Sequence, residues 1–206
     1  MDLYKFQWVD SFVYLGSEIN SQNVISPEIK RRIAMANRCS YSLSRHFRSR
    51  FLSRRTKISL YKTIVRPVLT YGSEAWAVTK ADEKRLLAFE WGILRRIYGP
   101  IKVGEVWRRR KNRELYSLFK DDDVAQVIKL GRLRWAGHLA RMHINEIPKK
   151  VVTEDIHGVR RVGRPNVRWL DGVAEASRTL LGVRDWRTAA QDRANWRRLL
   201  EAAQTR

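Results

Sequence analysis

Residues 3–19 alternate apolar with polar side chains, with Phe6 and Trp8 followed by Phe12 and Tyr14. A period of two predicts a β-hairpin, with Asp10-Ser11 as its turn. The period then changes. Ser26-Pro27-Glu28 predicts a helix start, with Ser26 as the cap, Pro27 in the first turn and an acid near the positive end. Ile29, Ile33, Ala36, Ser40, Leu43 and Phe47 follow at spacings of three and four. They form one buried stripe that leaves Lys30, Arg31, Arg38, Arg45 and Arg48 largely off it. Ser53 predicts the cap of a second helix carrying Ile58, Tyr61, Ile64, Val65 and Val68, which Pro67 should kink or end. Thr79-x-x-Asp82 resembles a capping box with Asp in place of Glu. The helix behind it carries Leu86, Leu87, Phe89, Ile93, Leu94 and Ile97 and stops at Gly99-Pro100. Asp121, Asp122 and Asp123 precede a further helical run through Leu133 and read as capping acids. The polar stretch from Ile144 to Pro165 reads as a loop, and two more helices are expected at about 166–181 and 185–203. The fold class is mainly α, with a small β element at its start.

Composition narrows the picture. The chain has 206 residues, enough for one domain or two small ones, and 44% are hydrophobic, which argues against disorder. The single cysteine, Cys39, excludes a disulfide framework and a cysteine-rich zinc site and reads as a small buried residue. No apolar run approaches the roughly 20 residues needed to span a bilayer, and the N-terminus lacks a secretory pattern. An intracellular protein, nuclear or cytoplasmic and not secreted, is expected, with no cofactor.

Charge changes the picture most. Lys and Arg number 42 against 21 Asp and Glu, a formal net charge of +21. Thirty of the cations are Arg, whose planar fork suits phosphates and bases. From Ile29 to Ser73 there are 12 basic residues and no acid, whereas from Asp171 onward the balance is seven to five. The excess points to a polyanionic partner, with an anionic membrane surface as the lesser alternative.

Three phrases are more specific than composition. They are Phe12-Val13-Tyr14-Leu15-Gly16-Ser17; Leu60 to Trp76, containing Arg66-Pro67-Val68-Leu69-Thr70-Tyr71-Gly72; and Arg132-Leu133-Arg134-Trp135-Ala136-Gly137-His138 with Gly163-Arg164-Pro165 and Arg168-Trp169-Leu170-Asp171. In this order they resemble the C-terminal part of the endonuclease–reverse transcriptase of non-LTR (LINE-type) retrotransposons, over about residues 4 to 200. The resemblance implies a primer-grip-like hairpin over 1–22, a thumb-like helical domain over 23–100 and a basic helical C-terminal region over 101–206, with a loop at about 144–165. It implies that Tyr14, Leu15 and Gly16 lie at the primer end, although without a palm beside it the hairpin reads equally well as core or exposed edge.

The chemistry of that family is not expected here. Polymerisation needs metal ions held by carboxylates in an aromatic-x-Asp-Asp turn between strands. Asp121-Asp122 follows Phe119-Lys120 but opens a helical run instead. Fingers, palm and endonuclease are not represented, so the chain reads as a fragment without polymerase or nuclease activity by itself. His138 reads as a packing histidine, and His143 and His157 lack metal-ligand spacing. Trp76, Trp91, Trp107, Trp135 and Trp169 offer stacking surfaces, but core anchoring is the commoner role of Trp.

The basic runs carry the functional expectation. Lys30, Arg31, Arg32, Arg45, Arg48, Arg54, Arg55 and Lys57 lie on the first helices, and Arg108, Arg109, Arg110, Arg160, Arg161 and Arg164 extend the track. Such residues grip RNA, DNA or their hybrid through phosphates, without reading sequence. Arg160 to Arg164 also suits a nuclear import signal. Two alternatives stay open: a helical module whose basic face meets an acidic protein or membrane, and a translated relic with no function.

Overall fold

The computed structural model describes residues 7–154 and 168–204. It begins with β1 (Ser11–Tyr14) and β2 (Ser17–Asn20), paired antiparallel with Phe12 opposite Ile19 and Tyr14 opposite Ser17. The turn is Leu15-Gly16, not the expected Asp10-Ser11. Leu15 (φ 47°) and Gly16 (φ 81°) both take positive φ, the geometry that matches a two-residue turn to the twist of its strands.

Helix α1 (Ser26–Ser42) runs into the short α2 (Ser44–Arg48). Ser26 is the first helical residue rather than the cap; its hydroxyl donates to Asp82 at 2.9 Å, tying α1 to the later helix α5 (Lys80–Tyr98). The anticipated stripe faces inward, with Ile29, Ala36, Ser40 and Phe47 fully buried. Ser53 caps α3 (Arg54–Leu60) by accepting from the Thr56 N–H at 3.0 Å. Pro67 does not end this helix. A single π-turn over Tyr61–Val65, in which the Arg66 N–H reaches back to the Tyr61 carbonyl, precedes it, and α4 (Arg66–Thr70) continues with Pro67 in its first turn. The wider turn accommodates a residue that has no N–H to give. Thr79 caps α5 by accepting from the Asp82 N–H, and Gly99, at φ 71°, stops it.

Strands β3 (Ile101–Val103) and β4 (Val106–Arg108) then form a second hairpin, which the periodicity does not announce. Helix α6 (Asn112–Phe119) leads to α7 (Val124–Arg141), whose cap is Asp123. The expected loop after Ile144 contains α8 (Ile147–Thr153). The last region comprises α9 (Trp169–Ala176) with a π-turn over Ser177–Leu181, α10 (Trp186–Ala189) and α11 (Arg193–Gln204). The single helix expected at 185–203 is therefore broken in two, where Asp185 and then Asp192 each accept from the N–H groups opening a new helix.

Two hydrophobic clusters meet along α7. Val124 and Ile128 join Ile29, Phe47, Tyr61, Leu86, Leu94 and Leu115 in the first. Leu130, Leu133, Ala136 and Ala140 join Val173, Trp186, Trp196 and Leu200 in the second. Burying each such side chain is worth about 1.5–3 kcal/mol, so α7 contributes to both halves at once.

Candidate nucleic-acid interface

The three phrases come together in space. The Tyr71 hydroxyl donates to the Leu15 carbonyl at 3.0 Å, so the second phrase clasps the turn of the first. The Trp169 indole N–H donates to the Glu74 carbonyl at 2.7 Å, so the third reaches the second. Much of what makes these phrases distinctive is internal packing.

The cations of α1 to α3 divide by burial. Lys30, Arg45, Arg48, Arg54 and Arg55 are exposed, and among the described residues none of them forms a salt bridge. Arg31 is half-buried and donates to the Gly16 carbonyl at 2.7 Å and to Glu28 at 3.3 Å. Arg32 does not lie on the open face expected of it. It is only 4% exposed, donates to Glu28 and to the Gly16 carbonyl, both at 2.5 Å, and stacks on the Tyr71 ring at 4.4 Å. Glu28 is itself buried and also accepts from the Glu18 N–H at 2.8 Å. A planar fork is what this joint needs, since it spans a carboxylate and a carbonyl on different elements. Lys57 is likewise buried. Tyr14 and Leu15 are exposed, while the Gly16 carbonyl is taken up by the two arginines.

In the second basic run, Arg108 grips Glu114 through both terminal nitrogens at 2.9 and 2.5 Å. That hydrogen bonding, with the Lys111 N–H, holds the Glu114 carboxyl down at about 2. Arg108 is thus neutralised rather than open. Arg109 is exposed, and Arg110 donates to the Gly99 carbonyl at 3.1 Å. Arg160, Arg161 and Arg164 lie outside the described residues. Trp76 is core, Trp91 donates to the Tyr116 hydroxyl, and Trp135 packs tilted against His138 with centroids 5.3 Å apart. Trp107 departs from the core role, being 64% exposed on β4. The aspartate run is spent on structure: Asp121 pairs with Lys62, Asp122 accepts from the Gln126 side chain, and Asp123 caps α7.

Two buried charged groups escaped the sequence reading. Glu90 is fully buried and accepts from the Tyr61 hydroxyl at 2.6 Å, the Tyr116 hydroxyl at 3.0 Å and the Val124 N–H at 3.0 Å. Burial pushes its carboxyl up, against the hydrogen bonds that favour the ionised form. One signal for it was present: Glu90 interrupts the stripe formed by Leu86, Ile93, Leu94 and Ile97. Arg132 is 4% exposed, and its Nε has no hydrogen-bond partner among the described residues. It lines a cleft of about 580 Å³ with Glu83, Lys129 and Glu175; it opens the third phrase, but nothing local in the sequence marks it as buried.

A Caenorhabditis elegans protein described as a putative uncharacterized transposon-derived protein is 31% identical over 194 residues, spanning 91% of this chain and 69% of the relative. The chain belongs to this transposon-derived family. No family profile and no solved structure matches it. In this transposon-derived chain, no helix among the described residues is long and apolar enough to cross a membrane, and no group of three His, Cys, Asp or Glu is placed to hold a metal ion.

Proposed function

We propose that the chain is the thumb-containing C-terminal part of a non-LTR reverse transcriptase, that it holds template–primer nucleic acid through phosphate contacts, and that it performs no polymerisation by itself. The reading is carried by Lys30, Arg45, Arg48, Arg54 and Arg55, cations that are exposed and, among the described residues, unbridged, on a span without a single acid. Transposon descent supports it, as do the three ordered phrases. Every phosphate neutralised releases counterions, so binding weakens steeply with salt.

The test is a salt titration of binding to an RNA–DNA hybrid. Replacing these five residues with Ala should flatten the log–log slope by several units, roughly 0.9 for each phosphate no longer neutralised. Arg31, Arg32 and Lys57 stay in place because they have structural partners or are buried. A slope unchanged by the fivefold substitution defeats the proposal.

A further inference from the structure

The β3–β4 hairpin lies beside the C-terminal end of α5, and a cleft of about 410 Å³ opens between them. That volume is within the about 300–1,000 Å³ of sites that accept a small organic group. Arg95, Arg96, Arg108, Arg109, Arg110 and Trp107 line it, and no acidic residue does so among the described residues. Of these arginines, Arg108 alone is neutralised by an acid among the described residues, and that acid is Glu114. Three of the others are held by neutral acceptors: Arg95 donates to the Arg110 carbonyl and to Asn112, Arg96 to the Ser40 hydroxyl, and Arg110 to the Gly99 carbonyl, while Arg109 is exposed. Arg95, Arg96 and Arg110 are thus positioned, and among the described residues no acid compensates their charge or that of Arg109. Burial and the nearby Arg109 charge make the cationic form of Arg95 less favourable than usual, a strain that an anion would relieve.

Trp107 supplies the second half. It stands on a two-residue hairpin opposite Lys102, with most of its surface in solvent. Trp76, Trp186 and Trp196 are core and Trp8 is exposed elsewhere, so Trp107 is set apart by being exposed beside an arginine cleft. An indole in this setting suits an unpaired base, because a base inside a duplex already has both faces covered.

We propose that this cleft binds single-stranded nucleic acid, a phosphate lodging among Arg95, Arg109 and Arg110 while an adjacent base stacks on Trp107. The inference rests on the nucleic-acid reading above and extends it to a strand-selective subsite.

The test uses the full chain, a labelled oligothymidylate and a blunt duplex of equal length. Trp107→Ala should weaken oligothymidylate binding about 5- to 150-fold, the effect of losing one stacked base. Trp107→Phe should restore most of it, and duplex binding should stay unchanged. Arg109→Ala should lower the salt slope for oligothymidylate by about 0.7. Circular dichroism identical to the parent would show that the exposed indole was removed without unfolding. Duplex binding that persists while Trp107→Ala leaves oligothymidylate affinity intact would overturn the subsite and spare the broader reading. Equal losses on both nucleic acids would also overturn it. Displacement by polyglutamate as effective as by oligothymidylate would reassign the cleft to an acidic partner. Absence of binding to either nucleic acid would sink both proposals.

Discussion

Gly137 of α7 sits directly beneath the Trp196 indole: a Cβ built on Gly137 would overlap Nε1 and Cδ1 of the ring. The same Nε1 donates to the Leu133 carbonyl at 3.1 Å, one turn earlier on α7. The missing side chain thus lets α11 approach closely enough for the hydrogen bond to form. Gly137→Ala should destabilise the chain by about 1–3 kcal/mol, since a packed interior has no room for an added methyl. Urea denaturation should show a lower midpoint with an unchanged slope, although alanine is the better helix former.

Arg32 and Lys30, two residues apart in one basic run, should behave oppositely. Arg32→Ala leaves the buried Glu28 with only the longer, partly exposed Arg31 contact at 3.3 Å, an expected loss of about 1.5–3 kcal/mol. It also takes one of the two arginine donors from the Gly16 carbonyl, so amides of β1 and β2 should exchange faster with solvent. Arg32→Lys should recover little, because a point charge cannot span both acceptors. Lys30→Ala, at an exposed site, should stay within about 0.5 kcal/mol of the parent.

That contrast marks what the residues alone could disclose. Apolar periodicity locates α1, α3, α5 and α7 but not α6 or α8, and Ser53, Thr79 and Gly99 act where their types suggest. The first turn falls at Leu15-Gly16 rather than Asp10-Ser11 because the Leu15 backbone adopts φ 47°, a conformation few non-glycine residues take. Tyr71, Arg31 and Arg32 bind the carbonyls of that turn from residues 15 to 56 positions away, a long-range cause invisible to local patterning. The charge run was legible as a run, but not its division into surface and interior cations. Helical spacing puts Arg32 beside Ile29 and Ala36, and only the packed hairpin shows that this edge is covered.

Arg132 should answer differently from Arg32. It too is buried, but its Nε lacks a partner among the described residues, and burial lowers the preference for its charged form. The acids nearest in its field, Glu83 and Glu175, are not buried, and Glu83 already meets Lys129 at 2.7 Å. Replacing the guanidinium with an apolar chain of similar length strands no buried charge. Arg132→Met should be neutral or stabilising by about 1–4 kcal/mol, read as a higher urea midpoint. A loss comparable to that of Arg32→Ala would mean that Glu83 and Glu175 depend on it.

Glu90 sets a pH dependence whose sign follows from its surroundings. Its folded carboxyl is raised above the ordinary 4.5 by burial, so the folded chain holds that proton more tightly than the unfolded chain does. The stability due to this group is therefore complete below about pH 4.5 and is lost as pH rises through the raised folded value. Glu90→Gln should remove that decline. The amide can still accept from Tyr116 and the Val124 N–H, and its NH₂ can donate to Tyr61 once that hydroxyl rotates. Tyr61→Phe acts on the other side of the bond. It strips a donor from a buried carboxylate, should raise the Glu90 carboxyl further, and should cost about 1.5–3 kcal/mol near neutral pH. The cost should shrink in acid as Glu90 becomes protonated. Urea midpoints for the parent, Glu90→Gln and Tyr61→Phe at several pH values would check both, and equal pH profiles for all three would refute the assignment.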